Sequence, residues 1–155
     1  MAWTVFALMI SVACPAAPPP QVGEASATEV EAALKGFAAA WEREDVEAAA
    51  GTFTRDAIVF DPVPPGKFEN AEGIRAWISG SFDTLEGISI SLSQLRVQTA
   101  GQVAWCTAHF LFTAQQGGMP LRAEGYVSTV WVRQADGSPK LSVFHASHLP
   151  APTGS

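Results

Sequence analysis

Positive charge is scarce in this sequence of 155 residues, which holds nine lysine and arginine residues against fifteen acidic ones. The net charge is −6, and the basic residues form no cluster. Nucleic acids and anionic membrane surfaces are both bound through clustered lysine and arginine. We therefore expect neither kind of partner.

Cysteine is nearly absent. Cys14 lies near the start of the chain, so Cys106 is the one thiol of the predicted domain, and an internal disulfide is excluded. The apolar strand pattern around Cys106 predicts an inert buried side chain.

Histidine is also rare, and its spacing argues against a metal. His109, His145, His148 and Asp61 would suffice in number for a zinc site. However, no pair has ligand-like local spacing, and His145 and His148 point to opposite faces of a regular strand. We expect no metal and no cofactor.

The first 14 residues differ from the rest. Residues 1–13 carry no charge, and the apolar run from Val5 to Ile10 is too short to span a bilayer. Such a run is typical of an export signal, with a buried helix as the alternative. Cys14 follows a tripeptide similar to a bacterial lipoprotein cleavage site, although Ser11 stands where leucine is usual. We expect an extracytoplasmic protein, periplasmic or secreted, with Cys14 as the candidate lipidation site and only membrane anchor.

Residues 15–27 are rich in proline and alanine, which predicts an extended linker. The remaining chain is long and apolar enough for one domain, predicted over residues 28–150, with residues 151–155 as a tail. Thr28-Glu29-Val30-Glu31 has the form of a capping box and predicts the start of a first helix. Apolar residues recur along it at helical spacing: Val30, Leu34, Phe37 and Trp41.

Two further helices are predicted. Asp45 caps a short one that ends near Phe53, and Asn70 caps a third that buries Ile74, Trp77 and Ile78. A short strand over residues 57–60 and a proline-rich loop over residues 61–66 lie between them.

The apolar period changes from helical to two after Gly87. Long strands are predicted over residues 103–115, 121–133 and 140–148, joined by short turns typical of antiparallel hairpins. Helices followed by a meander of strands predict an α+β fold, in which three helices cover one face of a curved, cone-shaped antiparallel sheet. The open mouth of the cone would form an apolar pocket.

Five segments in this order resemble the nuclear transport factor 2-like superfamily, closest to its SnoaL-like and ketosteroid isomerase-like branch. The segments are Trp41–Asp45, Asp56–Pro62, Asn70–Arg75, Gly101–Trp105 and His145–Ser147. The resemblance covers the whole predicted domain. Because the superfamily includes isomerases, dehydratases, cyclases, hydrolases and binding modules, it does not fix the function.

The resemblance implies that Asp61, which precedes a proline after the first strand, corresponds to the general base of ketosteroid isomerase. A carboxylate at the rim of an apolar cavity gains proton affinity and can move a proton on a carbon beside a carbonyl. The oxyanion donors of that enzyme are missing, because Phe37 occupies the tyrosine position and Thr129 lies near the position of its acidic donor. A structural role for Asp61, accepting backbone hydrogen bonds in the loop, is the alternative.

Two histidines are further candidates for the catalytic site. His109 would pair with Asp61 if its strand face lines the cavity, and the resemblance implies that His145 and Ser147 face the pocket. His148 lies on the opposite face and is expected to face solvent. The other candidate ligand-binding residues are mainly aromatic: Phe37, Trp41, Phe53, Val59, Trp77, Trp105 and Tyr126.

The sequence thus favours an exported domain that binds a small hydrophobic or carbonyl-bearing molecule. Isomerase, dehydratase or cyclase chemistry would use Asp61 as base, assisted by His109 and His145. A non-catalytic ligand-binding or dimerisation module is the alternative, and a tethered structural envelope protein is a third. The resemblance also implies a homodimer, because exposed sheet faces in this superfamily commonly pair.

Overall fold

The computed structural model describes residues 23–150, which form three helices and six strands. In chain order the elements are α1 (Ala27–Glu42), α2 (Val46–Ala50), β1 (Phe53–Phe60), β2 (Lys67–Glu69), α3 (Asn70–Phe82), β3 (Leu85–Ala100), β4 (Val103–Gln116), β5 (Met119–Arg133) and β6 (Pro139–His148). None of the helices in this range is long and apolar enough to cross a membrane. The predicted export signal, the lipidation site Cys14 and the tail lie outside the described residues.

The N-cap of helix α1 lies two residues before Thr28, where the capping box was predicted. The side chain of Ser26 accepts a hydrogen bond from the backbone N–H of Glu29 at 3.4 Å, so Ser26 is the N-cap. The backbone N–H of Ala25 also donates to the carbonyl of Gly101 at 2.7 Å. The last residues of the predicted linker therefore already belong to the folded domain. The predicted apolar stripe of α1 is confirmed, because its four residues are buried.

The caps of the other two helices are confirmed. Asp45 accepts from the backbone N–H of Ala48 at 2.9 Å. Asn70 adopts a φ of 58°, and its side-chain oxygen accepts from the backbone N–H groups of Glu72 and Gly73 at 3.1 Å each. Ile74 and Ile78 of α3 are buried, whereas Trp77, the third residue predicted on that face, is half-buried.

The six strands form one curved, mostly antiparallel sheet in the order β2-β1-β6-β5-β4-β3. The exception is the pair of β1 and β6, which are parallel, with Phe60 opposite His145. The expectation of antiparallel pairing throughout is wrong at this position, because no hairpin joins these strands. β1 is also longer than predicted, and β2 was not predicted.

Side chains alternate between two different faces of this sheet. On β4, Ala104, Cys106 and Ala108 are buried under the helices, whereas Trp105 and Thr107 are exposed on the other side. We call the face under α1 and α3 the inner face and the opposite one the outer face. This arrangement confirms the predicted α+β fold with a cone-shaped sheet. The thiol of Cys106 is buried as expected, and burial raises its pKa.

Candidate functional site

A cavity of about 540 Å³ lies between the inner face of the sheet and the helices α1 and α3. Most of its wall is apolar. Aromatic side chains from both helices and three strands contribute to it: Phe37, Trp41, Phe68, Trp77, Phe110, Phe112 and Phe144. Its volume falls in the range of small-molecule sites.

The aromatic wall is held together by ring contacts. The ring centroids of Trp41 and Trp77 lie 5.0 Å apart, and those of Phe68 and Trp77 lie 5.6 Å apart in a stacked arrangement. Phe37 meets the ring of Trp41 edge-on at 6.1 Å. The buried indole N–H of Trp41 has no hydrogen-bond partner among the described residues. The wall therefore supplies apolar surface, with few polar contacts of its own.

One edge of the cavity is the loop that follows β1. Residues 62–65 of this loop line the cavity with proline and valine side chains. The loop is closed by two backbone hydrogen bonds, from the N–H of Asp61 to the carbonyl of Gly66 at 3.1 Å and from the N–H of Gly66 to the carbonyl of Val63 at 3.0 Å. Gly66 adopts a φ of 85°, which favours glycine.

Asp61 lies where β1 ends and this loop begins, and it lines the cavity. Its Oδ1 accepts a hydrogen bond from the backbone N–H of Val63 at 2.7 Å. The side chain is half-buried, and this burial raises the pKa of the carboxyl group. The hydrogen bond from Val63 and the charge of His148 act in the opposite direction but do not cancel the effect of burial. Asp61 thus has both a structural contact and a second oxygen that forms no hydrogen bond with any of residues 23–150.

His148 lines the same cavity from the end of β6. Because β1 and β6 are parallel and Phe60 is opposite His145, Asp61 comes beside Ala146, and His148 is two residues further along the same face. Adjacent strands and a two-residue step place the α-carbons of Asp61 and His148 about 8 Å apart. The ring of His148 lies 6.3 Å from that of Phe110 on the inner face. His148 is exposed, as expected, but at the cavity mouth and near the carboxylate.

The sequence of the domain that contains this cavity matches a known protein family. The model of the SnoaL-like domain matches residues 30–152. The chain belongs to the SnoaL-like family. A search of curated protein sequences found no match.

The fold of this SnoaL-like domain is similar to that of solved structures, including members of the nuclear transport factor 2-like superfamily. It is similar to a proposed dehydratase of that superfamily from Streptomyces avermitilis, with 20% identity and a TM-score of 0.72 over 80% of this chain and 96% of the other. A ketosteroid isomerase-like protein from Erwinia carotovora is 20% identical, with a TM-score of 0.70 over 80% and 96%. A proposed aromatic ring hydroxylase from Novosphingobium aromaticivorans is 17% identical, with a TM-score of 0.74 over 80% and 89%. At these identities the similarity establishes the fold alone.

His109 is not in the cavity of this SnoaL-like domain. It shares the outer face with Trp105 and Thr107, where its Nε2 lies 3.1 Å from Oε1 of Glu124 and its Nδ1 lies 3.3 Å from Oγ of Ser93. The predicted pairing of His109 with Asp61 is wrong, because the two side chains lie on opposite faces of the sheet.

His145 also lies on the outer face. Its ring meets that of Phe60 edge-on at 6.0 Å, beside an open hollow of about 660 Å³ on the outer face. The expectation that His145 joins Asp61 in one pocket is wrong, because the two side chains lie on opposite faces of the sheet. Side chains alternate along β6, so residues 144, 146 and 148 face inward and residues 143, 145 and 147 face outward.

The predicted ligand-binding residues divide into three groups. Phe37, Trp41 and Trp77 line the cavity. Phe53 and Val59 are buried in the core and do not reach it. The remaining three lie on the outer face: Trp105, Tyr126 and Ser147. There the indole N–H of Trp105 donates to Gln98 at 2.7 Å, and the hydroxyl of Ser147 donates to the carbonyl of Tyr126 at 3.3 Å.

The two positions expected to lack oxyanion donors do lack them. Phe37 carries no donor. Thr129 is buried on β5, where its hydroxyl donates to the carbonyl of Cys106 at 3.4 Å and accepts from the indole N–H of Trp131 at 2.8 Å. In the described part of the chain, no three histidine, cysteine or acidic residues form a group able to hold a metal.

The sequence shows which residues share a strand face with His148, but not that this face lines the cavity. Counting in steps of two from Phe144 gives Ala146 and then His148, so His148 shares a face with an aromatic residue of the core. The missing information was which face of β6 the helices cover. Without it, His145 and His148 are equally good candidates.

Proposed function

We propose that the cavity binds a small hydrophobic molecule that carries a carbonyl group, and that Asp61 removes a proton from the carbon next to that carbonyl. One observation carries the proposal. Asp61 is the only carboxylate among the lining residues, and it stands at the mouth of a cavity whose wall is otherwise mostly apolar. A bound ligand would shield the carboxylate from water and strengthen it as a base.

The geometry of Asp61 suits this role. The Val63 N–H group fixes Oδ1, so the orientation of the carboxylate is set before a ligand arrives. Oδ2 remains for the proton. An orienting hydrogen bond of this kind is a common way to hold a general base in place.

The similar structures support the reaction class. Two of them are named as a proposed dehydratase and as a ketosteroid isomerase-like protein. Isomerisation, dehydration and ring closure of carbonyl compounds all begin with loss of a proton beside the carbonyl. We therefore propose an isomerase, dehydratase or cyclase.

Exchange of α-hydrogens tests this proposal without knowledge of the natural substrate. A panel of bicyclic and tricyclic ketones, starting with 2-tetralone, is incubated with the protein in D₂O and followed by proton NMR. The wild type should accelerate the exchange over buffer, and Asp61→Asn should not. Asparagine keeps the oxygen that accepts from Val63, so folding should be unaffected. Equal exchange rates for the two proteins would overturn the role of Asp61.

Binding without chemistry is the second candidate function. It is favoured by the absent oxyanion donors at Phe37 and Thr129, and by the location of His109 and His145 outside the cavity. In that case the ketones of the panel bind, as seen by ligand-observed NMR, but their hydrogens exchange at the buffer rate.

We also propose that the outer face pairs with a second copy of the chain. Four of the large apolar side chains exposed in the described residues lie on this face: Phe60, Val103, Trp105 and Tyr126. Exposed apolar patches of this kind mark interaction surfaces. Sedimentation should show a dimer at micromolar concentration. Trp105→Glu should give monomers, whereas Met119→Glu, at the exposed start of β5 away from the patch, should not. A monomeric wild type would contradict the proposal.

Export and lipidation are proposed from the sequence alone. The apolar run before Cys14 and the linker after it suit a tethered extracytoplasmic domain. Mass spectrometry of the native protein tests this. A chain that begins at a lipid-modified Cys14 supports the proposal, and an intact Met1 in a cytosolic fraction overturns it.

A further inference from the structure

The cavity holds two ionisable side chains of opposite charge type. Among its lining residues, Asp61 and His148 are the only acidic and basic groups, and the rest are apolar or neutral. Both stand at the mouth, on adjacent parallel strands. Two such groups at one apolar site form the usual arrangement for a base and an acid.

The space between them is open. On the inner face, the residue between Asp61 and His148 is Ala146, whose side chain is a single methyl group. On the other side of His148, the paired residue on β5 is Gly125, which has no side chain. A carbonyl oxygen with its neighbouring carbon can therefore lie across Ala146, between the two groups.

The other polar residues of the wall are less suited to a donor role. The hydroxyl of Ser81 donates to the carbonyl of Trp77 at 2.8 Å, and that of Thr84 donates to the carbonyls of Gly80 and Ser81. Gln116 lies six residues beyond Phe110 on β4, which is about 20 Å along the strand from the ring that contacts His148. Of these side chains, His148 alone lies on the strand that pairs with β1, next to Asp61.

We propose that His148 is the second catalytic group of this site, which donates a hydrogen bond or a proton to the carbonyl oxygen while Asp61 takes the proton from the adjacent carbon. This inference rests on the proposed function. The C–H bond breaks, its electron pair forms the C=C bond of the enol, and the carbonyl electrons move to the oxygen that His148 protonates. Return of a proton from Asp61 to carbon, and of the hydroxyl proton to His148, restores both groups. No oxidant or other reactant is needed.

His148 would supply what Phe37 and Thr129 do not. An oxyanion donor lowers the barrier because negative charge develops on the oxygen only as the proton leaves. Loss of one such donor costs about 100-fold in the rate of the chemical step. The affinity for the ketone, which is set mainly by the apolar wall, should change little.

The test measures α-hydrogen exchange of the ketone panel with two matched variants. His148→Leu removes both ring nitrogens and should lower the exchange rate at saturating ketone by about 100-fold, with ketone affinity unchanged. His145→Leu changes a histidine three residues away on the outer face and should leave the rate unchanged. His148→Gln restores an N–H donor and should retain more of the rate than His148→Leu. The acidic limb of the pH profile, which Asp61 sets, should persist in His148→Leu.

The outcomes separate this inference from the proposed function. If Asp61→Asn is inactive but His148→Leu exchanges at the wild-type rate, the role of His148 is overturned and that of Asp61 stands. If the wild type exchanges no ketone faster than Asp61→Asn does, both are overturned. Equal losses in His145→Leu and His148→Leu would also overturn the inference, because only one of the two positions reaches the cavity.

Discussion

Gly125 lies directly opposite His148 on the neighbouring strand, and it allows the two strands to approach closely there. A β-carbon at Gly125 would come within 1.8 Å of the carbonyl oxygen of Ser147 and 3.1 Å of the α-carbon of His148. Real contacts of this kind do not occur below about 3 Å, so the backbone would have to move. Glycine at this position therefore fixes where β6, and with it His148, lies.

Substitution of Gly125 by a larger residue should lower the stability of the protein. We expect Gly125→Ala to lower the free energy of unfolding by about 3 kcal/mol, because the new methyl group meets backbone that cannot rotate away. Gly36→Ala is the matched control, since a β-carbon at Gly36 has no neighbour within 4 Å and the position lies inside α1. That change should stabilise the protein by about 0.5–1 kcal/mol. Urea unfolding measures both, and equal stability of Gly125→Ala and the wild type would contradict the strand geometry.

The charge of Asp61 should reduce the stability of the protein at neutral pH. Burial raises the pKa of this carboxyl group, so the folded protein holds the proton more tightly than the unfolded chain does. Stability is therefore lost as pH rises from the ordinary value of 3.8 through the folded value. Asp61→Asn, which cannot ionise, should melt at a higher temperature than the wild type at pH 7.

The difference should disappear on acidification. Below the ordinary value of 3.8, Asp61 is neutral in both states and resembles asparagine. Melting curves of the two proteins across this pH range measure the effect. If Asp61→Asn is less stable than the wild type at pH 7, the carboxylate stabilises the loop after β1, and the role of Asp61 is structural.

The same pKa shift predicts the pH dependence of any turnover. The base form of Asp61 must lose its proton, so the exchange rate should fall as pH decreases through the raised pKa of this group. The midpoint of this fall should lie above 3.8. The pH profile of α-hydrogen exchange at saturating ketone gives the midpoint. A midpoint at or below 3.8 would show that the ligand-bound carboxyl is not desolvated.

Much of the fold could be predicted because local patterns decide it. The stripe of α1 and the period-two runs of β3–β6 each show which residues share a face. Asp61 was predicted from the resemblance to ketosteroid isomerase, in which the general base is an aspartate that precedes a proline after the first strand. Which sheet face the helices cover is a long-range property, so the inward side of β4 and β6 could not be read from their own residues. For that reason His109 and His145 were predicted in place of His148.

The parallel contact of β1 with β6 is the other feature that the sequence did not reveal. The strands are more than 75 residues apart in the chain, and no turn joins them. Yet this contact alone brings Asp61 beside Ala146 and near His148. The candidate site therefore depends on a pairing set by the packing of the whole sheet.

Ala146 provides the last prediction, because its small size keeps the space between Asp61 and His148 open. Ala146→Leu adds three carbon atoms to the inner face at the cavity mouth, where Val127 on β5 leaves no room to move aside. We expect at least about a tenfold loss of ketone affinity, equivalent to about 1.4 kcal/mol. Ala100→Leu, at an exposed strand end, is the control and should bind as the wild type does. Ligand-observed NMR titration measures both affinities, and an unchanged affinity in Ala146→Leu would mean that ligands do not bind between the two groups.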